Sequence, residues 1–469
     1  MTKSINIFLY FFTLTMASNV FAQGFSFLHS EQNKYLVAEH IFQNNSGEYL
    51  LSYNNAYYQP DFYQKVTGII VLDASGNVVL NKEYPIDTLT SNVLYIDIIK
   101  DADSVYIAKV QRRNHTASTT AVGMMVLNKQ FDILDSLIFD IPAPYYGVPQ
   151  FQGFWDSEGY YNFIFTYYES QHISECKNGA GRIKQDLSDH YFILDINSNE
   201  IISTISPRMN NRGALIVGDY SSVGKINITD STFQTIDTTL FNAPLNDCIF
   251  SSFQGHIKQL NDSQYITCTE TNISSETNAP ISTVILNDSL SIVNCTYNAN
   301  HDFEVVGALV DQIQARIQNI GITPDYIYIG GTQEVGTNYY YGGFSNRLVV
   351  LQYNHTLDTL WRKYIHNDEL HYLMQGLIQT QDNGCVLYGC YNYINDPETG
   401  GIFVIKIDEN GSTSSTKQIN TNKADVISVS PNPASSFLYV NLPQNYLPND
   451  FTLSIYDANG LLKIHQTLK

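Results

Sequence analysis

Apolar and polar residues along this chain fall into short alternating runs, not into helical stripes. The stretches GIIVLDASGNVVLNKEY from Gly68, GMMVLNKQFDILDSLIF from Gly123 and HYFILDINSNEIISTIS from His190 share one grammar. ISTVILNDSLSIVNCTY from Ile281, RLVVLQYNHTLDTLWRKY from Arg347 and GIFVIKIDENGSTSSTK from Gly401 repeat it. An apolar strand runs into an Asp or Asn with a few polar residues, and usually a second strand follows. Asp and Asn suit such turns because their side chains bond the backbone two residues on, and Gly adopts positive φ at no steric cost. The pattern predicts a hairpin at each site.

A Tyr-rich or β-branched strand precedes each hairpin: GEYLLSY, DSVYIAKV, GYYNFIFTYY, SQYITCTE, DYIYIGG and NGCVLYG. Most have one more strand before that, such as NVLYIDIIK or HYLMQGLIQT. The unit is thus four strands: an outer approach, a Tyr-rich strand, an apolar strand and its partner across the turn. The turn residues Asp73, Asn128, Asp195, Asn287, Asn354 and Asp408 recur at roughly 55–67 residues, apart from a wider gap after Asp195. That gap holds a compressed copy, GALIVGDYSSVGKINITDSTFQTIDTTLF, with Asp230 at its turn. Counting it gives seven units and omitting it gives six.

Four-stranded units in that number predict an all-β chain with a six- or seven-bladed β-propeller, where radial repetition leaves only short protected edges. A pair of β-sandwiches is the competing architecture. The long period is assigned to connections between second and third strands, such as NNAYYQPDFYQKV and ESQHISECKNGAGRIKQDLSDH. The clearest unit begins at DTLWRKY and ends at KIDENG, and it resembles repeats of exported bacterial propeller proteins. The matching positions are Trp361 and Lys363, Asn383 and Gly384, Gly389, then Lys406, Asp408 and Gly411. The propeller is expected over residues 23–411.

The two ends carry a different message. MTKSINIFLYFFTLTMASNVFAQ has one positive charge, Lys3, an apolar run and a Val-Phe-Ala site, the pattern of a signal peptide over residues 1–22 cleaved between Ala22 and Gln23. Its apolar core is shorter than the ~20 residues a bilayer span needs, and no later stretch approaches that length. At the other end, residues 412–425 form a Ser/Thr/Asn/Lys linker. VSPNPASSFLYVNL then resembles the start of the C-terminal sorting domain of the type IX secretion system of Bacteroidetes. Pro431, Asn432 and Pro433 match its Pro-Asn-Pro turn, and Asp457, Asn459 and Gly460 match the turn of its next hairpin. The resemblance implies a partial β-sandwich module over 426–469, with the type IX machinery as partner and a secreted or cell-surface destination. Members continue with further strands, so about half of the module is expected here, and a defective signal would leave the chain periplasmic.

Charge narrows the partners. The 469 residues carry 25 Lys+Arg against 45 Asp+Glu, a formal net charge of −20 that repels nucleic acid and anionic membrane surfaces. With only 15% charged and 43% hydrophobic residues the chain still has a folding composition, and 34 Tyr against 6 Met favour strands. Six Cys in an exported chain permit disulfides, but no CxxC or zinc spacing occurs, and buried thiols are the expected state.

No catalytic, cofactor-binding or metal-binding residues are assigned from the sequence. The eleven His form no HExxH, and HNDELH from His366 to His371 reads as a solvated loop. DASGN and DENGS lack the ligand run of a calcium loop and read as hairpin turns. No Gly-x-Ser-x-Gly elbow or phosphate loop occurs. NNAYYQPDFYQ, APYYGVPQFQGFW and GTNYYYGGF place aromatic rings in expected loops, where they suit carbohydrate or protein recognition or else pack between blades.

Three function classes follow: a non-catalytic binding propeller for a glycan, peptide or surface component; a polysaccharide hydrolase or lyase with acidic residues at one mouth; or a structural envelope protein. The linker's composition gives a direct expectation. Limited proteolysis should release a stable core ending between Gly411 and Asp425, because the prolines and few remaining strands of the tail bury little on their own. A tail that resists cleavage as long as the blades do would overturn it.

Overall fold

The computed structural model describes residues 24–413 except 32–33, 58–63, 85–91, 115–118, 143–144, 170–175, 197–201, 210–212, 219–223, 242–255, 271–280, 298–309, 315–318, 336–345 and 395. Beyond them it describes the strands Ser428–Ser430, Tyr439–Asn441, Thr452–Tyr456 and Leu462–Thr467. The described residues of 24–413 form seven antiparallel sheets, the blades of a seven-bladed β-propeller. Blade I comprises Lys34–Gln43, Tyr49–Tyr57, Gln64–Leu72 and Val78–Tyr84, and blade II Asn92–Ala102, Val105–Asn114, Thr119–Asn128 and Ile133–Ile141. Blade III is Tyr145–Trp155, Tyr160–Glu169, Cys176–Lys184 and His190–Leu194. Blade IV is Ile202–Pro207, Ala214–Gly218, Gly224–Thr229 and Thr235–Phe241, and blade V is His256–Asn261, Gln264–Glu270, Ile281–Asn287 and Ile292–Tyr297.

In blade VI the first strand is split into Val310–Gln314 and Ile320–Ile322, which both pair with Ile327–Val335, followed by Arg347–Tyr353 and Thr359–Ile365. Blade VII takes Leu370–Gln379, Cys385–Tyr393 and Asp396–Ile407 from the end of the propeller and its fourth strand, Phe25–His29, from the beginning. Phe25 lies opposite Lys406 and His29 opposite Ile402, so the two ends of the ring are sewn by one ladder.

The compressed copy around Asp230 is a complete blade, which settles the count at seven. Three expectations need correction. The first strand of each unit is the innermost, not an outer approach. Asp195 does not turn a hairpin: His190–Leu194 is the outer strand of blade III and Ile202–Pro207 the inner strand of blade IV, in separate sheets. The true turn of blade III lies earlier, where Lys184 N donates to Asp189 O at 2.9 Å and Leu187 has φ 60. The supposed long connection in that blade therefore contains its third strand, Cys176–Lys184. That strand, CKNGAGRIK, reads as polar, and short alternation could not assign it.

The outer turns explain how the blades hold together. Asp73, Asn128, Asp230, Asn287, Asn354 and Asp408 each accept hydrogen bonds at Oδ1 from the amides two and four residues on. Three residues after the Asp or Asn comes a left-handed residue. In four blades it is a bulky one: Phe131 (φ 64), Phe233 (φ 63), Leu290 (φ 59) and Leu357 (φ 63). Such residues resist this conformation by ~1–2 kcal/mol. Each, however, is buried against the preceding blade, where its side chain regains ~1.5–3 kcal/mol. Phe131 packs with Leu50, Ile69 and Val71 of blade I, and Leu357 with Leu260 and Ile266 of blade V.

Blades I and VII have Gly76 and Gly411 instead. There an aromatic ring from the preceding blade fills the space: a Cβ on Gly76 would lie 2.4 Å from the Phe25 ring, and one on Gly411 3.2 Å from Trp361. Trp361 Nε1 also donates to Glu409 O at 3.0 Å, and Lys363 Nζ bonds Gly411 O. The Trp-x-Lys signature is thus a clamp between blades VI and VII. Buried tyrosines do similar work from the second strands: Tyr265 OH accepts from Met209 N at 2.7 Å, and Tyr106 OH accepts from Asn44 Nδ2 at 3.1 Å.

Cys268, Cys385 and Cys390 are buried thiols as expected, whereas Cys295 is disulfide-bonded, which corrects the expectation of a free thiol there. Its strand is the outer one of blade V, where Cys295 is half-buried at the margin of the core that blades IV and V share. In the tail, Ser428–Ser430 pairs with Tyr439–Asn441 and Thr452–Tyr456 with Leu462–Thr467. Among the described residues no helix is long and apolar enough to cross a membrane.

The exchange of space at Gly76 gives a quantitative expectation. Gly76→Leu should cost ~1–3 kcal/mol by overpacking and Phe25→Ala ~3–5 kcal/mol by leaving a cavity. The double variant should lose at least ~1 kcal/mol less than the sum, because the new Leu enters the vacated space. Urea denaturation of the three variants measures this, and strictly additive losses would refute it.

Candidate ligand site in the central channel

The inner strands converge on a channel with a cavity of about 630 Å³, walled by residues from all seven blades. Blade I contributes His40, Ile41, Phe42 and Gln43, blade III Gln152 to Trp155, and blade V His256 to Gln259. Thr204 to Pro207 of blade IV, Asn319 and Ile320 of blade VI and Ile378 to Gln381 at blade VII complete most of the ring. Amides are frequent in this wall: Gln43, Gln152, Gln259, Asn319, Gln379 and Gln381. Some brace the ring itself, since Gln381 N donates to Gln43 Oε1 at 2.9 Å and Gln381 Nε2 to Asn44 O at 3.0 Å.

The charges in the wall oppose the net charge of the chain. Lys109, Lys258, His40 and His256 line the cavity, and no Asp or Glu is among the described lining residues. Lys109 is satisfied: its Nζ donates to Phe151 O at 2.7 Å and pairs with Asp97 Oδ2 at 3.3 Å. Lys258 Nζ donates to the Ile320 carbonyl at 2.6 Å and has no carboxylate partner among the described residues. Burial lowers its pKa to about 8. His40 is held neutral: burial pushes its pKa from 6.5 down to about 4, Asp97 opposes this, and Lys109 and Lys258 push it further down.

Two polar atoms in this wall, His40 Nδ1 and Ser206 Oγ, have no hydrogen-bond partner among the described residues. Ser206 is 2% exposed, so its hydroxyl cannot be satisfied by bulk solvent. Aromatic surface lies beside them. Phe42, Phe154, Trp155 and Tyr161 are among the lining residues, with Trp155 fixed by Nε1 donating to Ile99 O at 3.3 Å and by Lys100 Nζ 4.4 Å above its ring.

A smaller cleft of about 150 Å³ lies between blades III and IV and holds Asp156, Glu158, Asp230 and Arg182. Its acids serve the fold: Asp156 Oδ2 accepts from Asn162 at 2.7 Å, and Asp230 caps its own turn. His366 and His371 flank a turn and a strand start, where His371 Nδ1 accepts from Asn346 N at 3.3 Å. Asp73 and Asp408, the first residues of DASGN and DENGS, cap their hairpins.

The sequence-assigned sorting and cleavage residues Ala22, Gln23, Pro431, Asn432, Pro433, Asp457, Asn459 and Gly460 lie outside the described residues. So do GTNYYYGGF up to Gly343 and Phe344 and the loop at 58–63. The aromatics of YYGVPQFQGFW are in a strand, Tyr145–Trp155, and not in a loop, because alternation there is broken by Gly and Pro. Sequence reading missed the channel residues altogether. A signal was present in the paired tetrads His40-Ile41-Phe42-Gln43 and His256-Ile257-Lys258-Gln259, which recur at the inner strands of two blades.

No family model and no curated protein matches this chain. Solved structures with a similar fold include a catalytically inactive virginiamycin B lyase from Staphylococcus aureus with quinupristin, at 13% identity and TM-score 0.44, covering 82% of this chain and 100% of that one. The Dos1 propeller aligns at 12% identity and TM-score 0.43, covering 85% and 97%. A Penicillium chrysogenum α-L-arabinanase complexed with arabinobiose aligns at 10% identity and TM-score 0.39, covering 82% and 98%. The class is that of β-propeller proteins, which includes binding and enzymatic members alike.

The neutral state of His40 makes stability pH-dependent. Unfolded, the ring takes a proton below its ordinary 6.5; folded, it resists until about 4. Its contribution is therefore present above 6.5 and lost as pH falls toward 4. His40→Gln should show a smaller drop in urea midpoint between pH 7 and pH 4.5 than the parent chain does, and an equal drop would contradict this.

Proposed function

We propose that this protein is an exported, non-catalytic propeller that binds a polar ligand, a glycan or peptide, in its central channel. One observation carries the reading: a cavity of about 630 Å³ walled by amides, aromatic faces and unsatisfied polar groups. Amide and hydroxyl groups with a few aromatic faces are what a hydroxyl- or amide-rich ligand needs for orientation. The export component rests on the N-terminal signal pattern and on the likeness of the tail to a type IX sorting domain, with that machinery as partner.

A polysaccharide hydrolase would need two carboxylates flanking the scissile bond. The channel offers none among its described lining residues, and the nearby Asp97 is engaged by Lys109. A purely structural envelope role gives no reason for an unpaired lysine in the wall.

Glycan-array and peptide-library screens should return a binder, and Trp155→Ala should weaken it by ~10-fold or more, about 1.4 kcal/mol of lost aromatic contact. Hits unaffected by Trp155→Ala, or polysaccharide breakdown products from the purified chain, would overturn the reading.

A further inference from the structure

The channel has a chemical preference that its shape alone does not express. Lys258 occupies the inner strand of blade V, and its Nζ spends one hydrogen bond on the Ile320 carbonyl. It has no ion-pair partner among the described residues, in a chain whose formal net charge is −20. An acidic protein has many carboxylates with which to neutralise a lysine, yet this one is left facing the cavity. Ser206, on the inner strand of the neighbouring blade IV, lines the same cavity with a hydroxyl that is buried and unsatisfied. Leaving a buried hydroxyl without a partner and a desolvated ammonium without a carboxylate costs free energy that packing does not return. Such costs persist where a ligand supplies the missing partner.

We propose that the channel is an oxyanion-selective site, in which Lys258 and Ser206 hold a carboxylate, sulfate or phosphate group of the ligand while the amide-rich wall binds its remaining polar groups. This rests on the channel-binding reading above and names the chemistry of the ligand it takes. The ammonium supplies charge and up to two free N–H donors, and the Ser hydroxyl donates a third hydrogen bond. His40 adds a further donor if its proton sits on Nδ1, the atom that has no partner among the described residues. Lys109 contributes long-range attraction only partly, because Asp97 already balances it. The charged and titratable groups around the site among the described residues are thus Lys258, Lys109, Asp97, His40, His256 and Tyr161, whose phenol burial holds protonated.

The test uses calorimetric titration of the full chain with galacturonate trisaccharide, the corresponding neutral galactose trisaccharide, sodium sulfate and inorganic phosphate. The acidic trisaccharide or one of the inorganic anions should bind, and the neutral sugar should bind at least ~10-fold more weakly than its acidic counterpart, the lower range of a charge-assisted hydrogen bond. Which anion binds tightest separates a carboxylate from a sulfate or phosphate source. Lys258→Met should abolish the preference for the anion without lowering Tm, since it removes a desolvated charge, and Ser206→Ala should weaken anion binding alone. Affinity should also fall as pH rises above about 8, where Lys258 loses its proton. If acidic and neutral trisaccharides bind equally and Lys258→Met changes neither, the oxyanion assignment fails while channel binding stands. If none of the anions binds, the assignment fails too, and a ligand from the array that binds regardless of Trp155 removes the channel reading with it.

Discussion

The ring depends on one ladder, the pairing of Phe25–His29 with Ile402–Lys406. It joins residues at opposite ends of the propeller and so closes a loop of nearly the whole chain, whose entropy cost grows only slowly with length. Without it, blade VII would have three strands and an open edge. The inner strands would then meet only through side-chain packing, and the channel they wall would lose its fixed circumference. Phe25 has a second duty, because its ring fills the space above Gly76 that a left-handed side chain fills in other blades. Closure and blade packing are therefore one interaction at this seam.

The same economy runs around the ring. Six of the outer turns use an Asp or Asn to cap their own amides, and four of these then send a bulky left-handed residue into the preceding blade. Backbone strain in Phe131 or Leu357 is tolerated because burial against the neighbour outweighs it. Blade stability is consequently shared between neighbours, as in other repeat architectures. The inner strands are relieved of that task on their channel side, and there the chain places Lys258, Ser206, His40 and the glutamines.

Electrostatics sets this interior apart from the chain as a whole. A net charge of −20 surrounds a wall whose described lining holds lysines and histidines and no carboxylate. Low-dielectric walls strengthen such local fields, and they also drive His40 to its neutral form. The acidic residues that are near, Asp97 beside Lys109 and Asp156 beside Asn162, are engaged in holding strands and turns.

Much of this was legible in the residues themselves. The Asp and Asn turns, the alternating strands and the compressed copy at Asp230 point to an all-β repeat of six or seven blades, because turn chemistry and side-chain period are local properties, and the sheets themselves settle seven. Two readings failed where locality failed: polar strands such as Cys176–Lys184 carry no clear alternation, and Asp195 looks like its neighbours without turning a hairpin. Which strand lies innermost could not be read either, since radial position depends on how the blades pack and not on any one of them. For the same reason the channel was invisible. His40, Ser206 and Lys258 stand far apart in the chain, and only the closure of the ring by Phe25–His29 brings them to one cavity.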